Sequence, residues 1–319
     1  MDRTAILLVA GALISWSLLL VVSRVILLTL ALDPWLFTFI QMMAGGAALL
    51  VLSGAEADLR ASLRDPVLWL YGVLRVLTAA FFTAALLHTT AANAAFISIL
   101  SVPTSVALLW LLLARVPRAW EAPGHLLIIA GLVGLTTTLE GGVRNPALLL
   151  MILSELCVVT STLIAELHPR NQTEDRRARA ALTGAMLLIS AFVMLITAVG
   201  LSAAVQAMPS LAAVLPIGAT VLSDPTRVLD PALWGAAIAV GILLRGPSMC
   251  LALAAIHRVG TTNYLAGLAV LPLSSLVFEA AASAAGLIPP VTVWTLATAF
   301  GTVMVVGSLA VIAARARAG

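Results

Sequence analysis

The sequence predicts an all-α polytopic membrane protein, with ten transmembrane helices arranged as two inverted five-helix repeats. Three observations predict it. Hydrophobic residues make up 62% of the 319-residue chain and charged residues only 10%, where a soluble domain carries about 25% charged residues. Apolar runs of about 20 residues, each long enough to cross a bilayer, recur along the whole length. One stretch also occurs twice, as VLRVLTAAFFTAALLHTTAANAAFISILSVPTSVALLW at 73–110 and ILLRGPSMCLALAAIHRVGTTNYLAGLAVLPLSSLVFE at 242–279. Aligned on Arg75 and Arg245, the copies bring His88 to His257, Asn93 to Asn263 and Pro103 to Pro272 within one residue. A two-helix unit repeated in this way marks two halves of one design. In membrane proteins such halves enclose a transport site at their interface.

The ten spans fall at roughly 5–27, 34–52, 67–88, 92–114, 121–140, 146–167, 181–205, 232–256, 263–285 and 291–313, with ends uncertain by a few residues. Each is read as a helix, because in lipid a single segment satisfies its backbone only that way. The first run lacks a small-residue cleavage site and reads as a true span rather than a signal peptide. The break between halves near 141–146 gives an N-terminal five-helix repeat at 1–145 and a C-terminal one at 146–319, together one integral membrane unit. An odd number of spans per half makes the second half enter from the opposite side. The loops orient the whole: twelve arginines lie on the N-terminal side of the bilayer, and only Arg144 and Arg227 on the other. The positive-inside rule then puts both termini in the cytoplasm and the chain in the cell inner membrane. The segment 206–231 contains an apolar stretch broken by Pro216, too short to span, and reads as interfacial, re-entrant or a cap over the cavity.

Composition also excludes function classes. All 17 basic residues are arginine and are scattered through short loops, which is no footprint for nucleic acid. Cys157 and Cys250 sit inside apolar runs and read as buried small hydrophobes. There is no metal-ligand spacing, no glycine-rich phosphate loop and no plausible catalytic constellation. Neither an enzyme nor a cofactor is expected.

The residues that could carry chemistry are charges at membrane depth. A cation at mid-helix costs about 2.5–3.5 kcal/mol on insertion scales, so Arg75 and Arg245 should face protein or water. On equivalent helices of the two halves they would clamp a carboxylate or phosphate. The alternative is an internal ion pair with Glu155 or Glu279. If those acids face the arginines, the site suits a zwitterion; if they lie apart, it suits an anion. Either carboxyl is also a candidate for binding a proton or a substrate ammonium. Glu140 and Glu166, near helix ends, are expected to reach water.

Arg24, eight residues after Trp16, either faces the cavity or snorkels to the interface. Trp16 is a substrate wall or a packing residue. His88 and His257, at helix ends on opposite faces, are gate residues or simply solvated ends. Asn93 and Asn263 are expected to cap the following helices. Pro103 and Pro272 should kink theirs and supply hinge points. Gly45, Gly46, Gly131 and Gly134 are expected to allow close helix packing.

The first span reads WSLLLVVSR, and the next LDPWLFTFIQMMAGGAALL. With ALLHTTAANAAFISILSVPTSVALLWLLL and GHLLIIAGLVGL, these resemble the EamA-type members of the drug/metabolite transporter superfamily. There a Trp is followed eight residues on by a basic residue, then an Asp/Asn-Pro entry to the second helix. The chain departs from the family pattern at Gln41, where an Arg is frequent, at Arg115, where an acid is usual, and in the early position of Glu279. The resemblance implies ten helices in two inverted repeats. It also implies secondary transport of a small metabolite, with efflux of an amino-acid-like compound favoured.

The expectation is therefore a secondary active transporter of a small carboxylate- or phosphate-bearing solute, working by alternating access. An organophosphate exchanger is the rival reading, and a channel or a non-transporting membrane protein a more distant one. Its partners would be that solute, with proton coupling left open, and the lipid bilayer. A homodimer is also left open.

Overall fold

The computed structural model describes residues 3–54, 63–171, 175–208, 210 and 224–317. Among them, ten helices are long and apolar enough to cross a membrane: α1 (Arg3–Leu30), α2 (Pro34–Ser53), α3 (Pro66–Ala85), α4 (Ala91–Leu113), α5 (Ala119–Thr138), α6 (Pro146–Leu167), α7 (Arg176–Ala207), α8 (Pro231–Val259), α9 (Asn263–Ala284) and α10 (Leu296–Arg315).

Local sequence explains where they start. Asp33, Asp65, Asn145 and Asp230 each accept a backbone N–H from the first turn that follows, and each is followed by proline. The side chain satisfies a donor the helix would leave orphaned, and the proline needs none. The expected caps at Asn93 and Asn263 are not what the structure has. Thr90 caps α4 by accepting from the Asn93 N–H. Asn263 instead donates its side-chain amide back to the Val259 carbonyl. A helix recruits the short oxygen that precedes its first turn, and both asparagines stand one turn too late.

Three helices are broken inside the bilayer. In α4, Ala91–Ser98 and Ser101–Leu113 are separate pieces. In α9, a 3₁₀ turn at Leu268–Val270 precedes Leu271–Ala284. Both breaks sit just before the repeated prolines. Pro103 cannot donate to the Ile99 carbonyl, and the Val102 N–H takes that acceptor instead. Pro272 cannot donate to Leu268, and the Leu271 N–H does so in its place. A missing donor tightens each helix to 3₁₀ in the same way. The break in α8 is of the other kind. Gly241–Arg245 forms a π turn closed by Gly246 N–H onto the Gly241 carbonyl, immediately before Pro247.

The main packing pairs are α2 with α7, α5 with α10, α3 with α6, α1 with α8 and α9, α4 with α6 and α9, and α3 and α8 with α7 and α2 respectively. Exchanging the first five helices for the last five returns the same set of pairs. In two of them the backbones nearly touch. A Cβ on Gly46 or on Gly184 would lie 2.7 Å from the other's carbonyl oxygen, and Gly124 and Gly307 stand in the same relation at 2.6 Å. Only residues without side chains let helices approach so closely. Gly131 and Gly134 likewise face Phe300 of α10. Of 206–231, residues 209 and 211–223 lie outside the described residues, so the reading of its apolar stretch falls there. What is described after it is a turn at Pro225–Leu229, capped by Asp224.

Candidate functional site

The interior of the bundle holds a cavity of about 110 Å³ between α1, α3, α4, α6, α8 and α9. Its wall is mostly apolar, with Trp16, Arg75, Glu155, Arg245 and Tyr264 supplying the chemistry. Four of the sequence-chosen residues thus meet in one place. Arg75 is the tenth residue of the twenty-residue α3 and Arg245 closes the π turn of α8. Both are 5% exposed, and Glu155 is 3% exposed. Space for the Arg245 stem comes from α2, where a Cβ on Gly45 would lie 2.8 Å from the Arg245 Cγ.

Neutral groups hold the two guanidiniums. Arg75 Nη2 donates to Thr162 Oγ1 at 3.3 Å and lies over the Tyr71 ring, 5.6 Å from its centroid. Arg245 Nη2 donates to Gln41 Oε1 at 2.9 Å and lies over the Trp16 ring at 5.1 Å. Trp16 is itself fixed by donating from Nε1 to the Tyr264 hydroxyl at 3.2 Å. Aromatic faces stabilise a cation without cancelling its charge. Neither arginine has an ion-pair partner among the described residues, and the Nε of each is buried without an acceptor. The expected alternative of an internal pair with Glu155 or Glu279 is therefore not what the structure has. Glu155 shares the cavity but makes no ion pair among the described residues.

Glu279 lies elsewhere. It is fully buried and pairs with Arg24 at 2.7 Å. Its oxygens also accept the Ala91 and Ala92 N–H groups at 2.8 and 3.0 Å, at the N-terminus of α4. Arg24 lines two pockets outside the central cavity, one of them beside His88. So Arg24 neither faces the central site nor snorkels free, because a buried carboxylate on α9 claims it. Glu166, expected to reach water, accepts the Thr261 N–H at 2.7 Å where the chain turns into α9. His88 and His257 are exposed and each lines a pocket separate from the central cavity. Pro103 and Pro272 stand at the helix breaks described above.

Sequence reasoning did not select Gln41, Tyr71, Thr162 or Tyr264. One signal was readable: the chain has only two tyrosines, and one lies against Arg75 while the other lines the cavity. Gln41 stood out only as a departure from the family pattern, and one amide in an apolar helix otherwise looks like ordinary packing.

Residues 3–137, spanning α1 to α5, match the EamA-like transporter family. Over its first five helices the chain is similar to EamA-type transporters, which supports a membrane transporter of that kind. The ten apolar helices of the described residues support a multi-pass membrane protein. One solved crystal structure of a protein superposes with a TM-score of 0.57 at 20% identity, covering 99% of each chain. That likeness concerns the fold alone. No curated protein matches the chain.

Proposed function

We propose that the chain is a secondary active transporter of a small zwitterion of the amino-acid class, with the central cavity as its binding site. The observation that carries the reading is the pair of buried guanidiniums without a carboxylate partner among the described residues. A buried unpaired charge is costly, and a bound carboxylate meeting Arg75 and Arg245 removes that cost. Glu155, in the same cavity, stands ready for the ammonium group. The volume of about 110 Å³ is a little below that of an engineered cavity that holds benzene, which favours a compact solute over a nucleotide. The same carboxyl is the candidate for proton coupling.

Alternating access would follow from the two halves, 1–145 and 146–319, acting as inverted repeats. The self-consistent exchange of helix pairs and the matched breaks before Pro103 and Pro272 support this. The prolines are then hinges, and His88 and His257 mark opposite entrances. The arginine bias of the loops supports cytoplasmic termini in an inner membrane, and efflux is the direction favoured by the family. Two arginines against one carboxyl would instead favour an organophosphate whenever Glu155 carries a proton, and this is the second reading.

A thermal-shift screen of the purified chain against amino acids, dicarboxylates, sugar phosphates and nucleotides separates the two. A ligand at 100 times its dissociation constant stabilises the protein by about 2.7 kcal/mol. The expected result is a shift with a small amino acid that is lost in both Arg75→Ala and Arg245→Ala. A shift with sugar phosphates alone moves the reading to exchange of organophosphates. Variants that respond like the parent overturn the site.

A further inference from the structure

Gln41 is fully buried on α2 and does not line the cavity, yet it touches two groups that do. Its Oε1 accepts from Arg245 Nη2 at 2.9 Å, and its Nε2 donates to Ser23 Oγ at 3.4 Å. The arginine can only donate, so it fixes which end of the amide faces it. The other end must then be the NH₂, and Ser23 must be the acceptor. Ser23 makes no other hydrogen bond among the described residues, whereas Ser17, on the same helix, donates back to the carbonyl four residues earlier. The Ser23 proton is thereby left for the cavity, where Ser23 is part of the wall.

We infer that Gln41 is a positioning residue that sets the charge preference of the site. Its neutral acceptor holds Arg245 without cancelling it, and its donor turns Ser23 outward as a further donor. Both effects present N–H and O–H groups to an anionic end of the solute. The inference rests on the reading of the cavity as a carboxylate site. A carboxylate in the same place would reverse both effects: it would neutralise Arg245, and it would take the Ser23 proton for its second oxygen. Gln41→Glu is nearly isosteric and keeps the bond to Arg245, so a merely structural role predicts an unchanged or more stable protein with unchanged binding.

The test uses the full chain in lipid nanodiscs with two probes of one shape, propionate and propionamide, binding being read by calorimetry or thermal shift. The parent is expected to prefer propionate. Gln41→Glu should lose that preference by about tenfold or more, the scale of one hydrogen bond to a charged group, while its melting temperature without ligand does not fall. Gln41→Met, which removes the anchor but adds no charge, should bind propionate more weakly and still prefer it to propionamide. If either variant binds propionate as the parent does, Gln41 does not position the site and the inference falls alone. If the parent itself shows no preference for propionate, the carboxylate reading falls and the inference with it. If Gln41→Glu does not fold, the outcome with Gln41→Met still decides.

Discussion

Glu279 and Arg75 are both charged, both buried within apolar helices, and differently surrounded. Glu279 is compensated three times over, by the Arg24 guanidinium and by two backbone N–H groups at the start of α4. Arg75 and Arg245 have hydroxyl, amide and ring partners and, among the described residues, no carboxylate. The two clusters are not far apart. Trp16 belongs to one and Arg24 to the other, and eight residues of helix span about 12 Å. A charge whose field is cancelled within the protein has a structural task, here to tie α1, α9 and the broken α4 together. A charge left uncancelled at the same depth is open to a counter-charge from a solute, as the proposed function has it.

The largest expected effect tests the compensated side. Glu279→Gln leaves the Arg24 charge at 14% exposure without a counter-ion, and removing one partner of a buried pair typically costs about 3–5 kcal/mol. The melting temperature of the purified protein should fall steeply, and it should fall without ligand present. A variant that melts with the parent would break the comparison, because Glu279 would then be dispensable to the fold.

The uncompensated side carries the opposite sign. Arg75→Met removes a buried charge that no carboxylate balances and leaves an apolar stem of similar length. Replacing buried charges by apolar groups is often neutral or stabilising, by about 1–4 kcal/mol for full ion pairs and triads. The empty variant should therefore melt at or above the parent temperature while losing its response to carboxylate ligands. A marked loss of stability would mean that the bond to Thr162 and the contact with Tyr71 make Arg75 a structural residue, and the contrast with Glu279 would vanish.

The sequence made some of this legible and not the rest, for physical reasons. Lipid forces a helix wherever an apolar run is long enough, so the ten spans could be read directly. It also forces mid-helix charges inward, which singled out Arg75, Arg245, Glu155 and Glu279 together. Which of them share a cavity depends on how each helix is rotated about its axis. The turn at Leu268–Val270 resets that rotation within α9, and so the place of Glu279 could not be read from spacing. The π turn before Pro247 does the same for Arg245. That proline was in plain view, but its consequence depends on how α8 meets Gly45 of α2. Caps were misjudged at Asn93 for a smaller reason: residue type was right for a cap, but position decides, and Thr90 holds the position.

The smallest effect concerns a third charged pair, outside the bilayer core, which sharpens the contrast by being neither buried nor idle. Asp65 caps α3 through the Val67 and Leu68 N–H groups and meets His168, at the end of α6, at 3.1 Å. Burial pushes the Asp65 carboxyl up, but the hydrogen bonds from His168, Val67 and Leu68 and the nearby His168 charge together outweigh it and hold its pKa below the ordinary carboxylate value. The sign follows from that direction. A carboxylate with a lowered folded-state pKa contributes its stability in full above the unfolded value of about 4 and loses it as the pH falls through the folded value. Between pH 7 and pH 5, then, Asp65 should contribute no pH dependence, and its share of any acid loss should come below about pH 4. Its side chain is 26% exposed, so solvent screens the pair and its worth is small. Asp65→Asn keeps a good cap and should melt within about 0.5 kcal/mol of the parent at pH 7, while Asp65→Ala should cost about 1 kcal/mol. Melting curves at pH 7 and pH 3.5 check both points. The gap between parent and Asp65→Asn should narrow at the lower pH. A gap that widens there would mean that the Asp65 charge is not stabilising in the folded protein, and that this pair belongs with neither of the other two clusters.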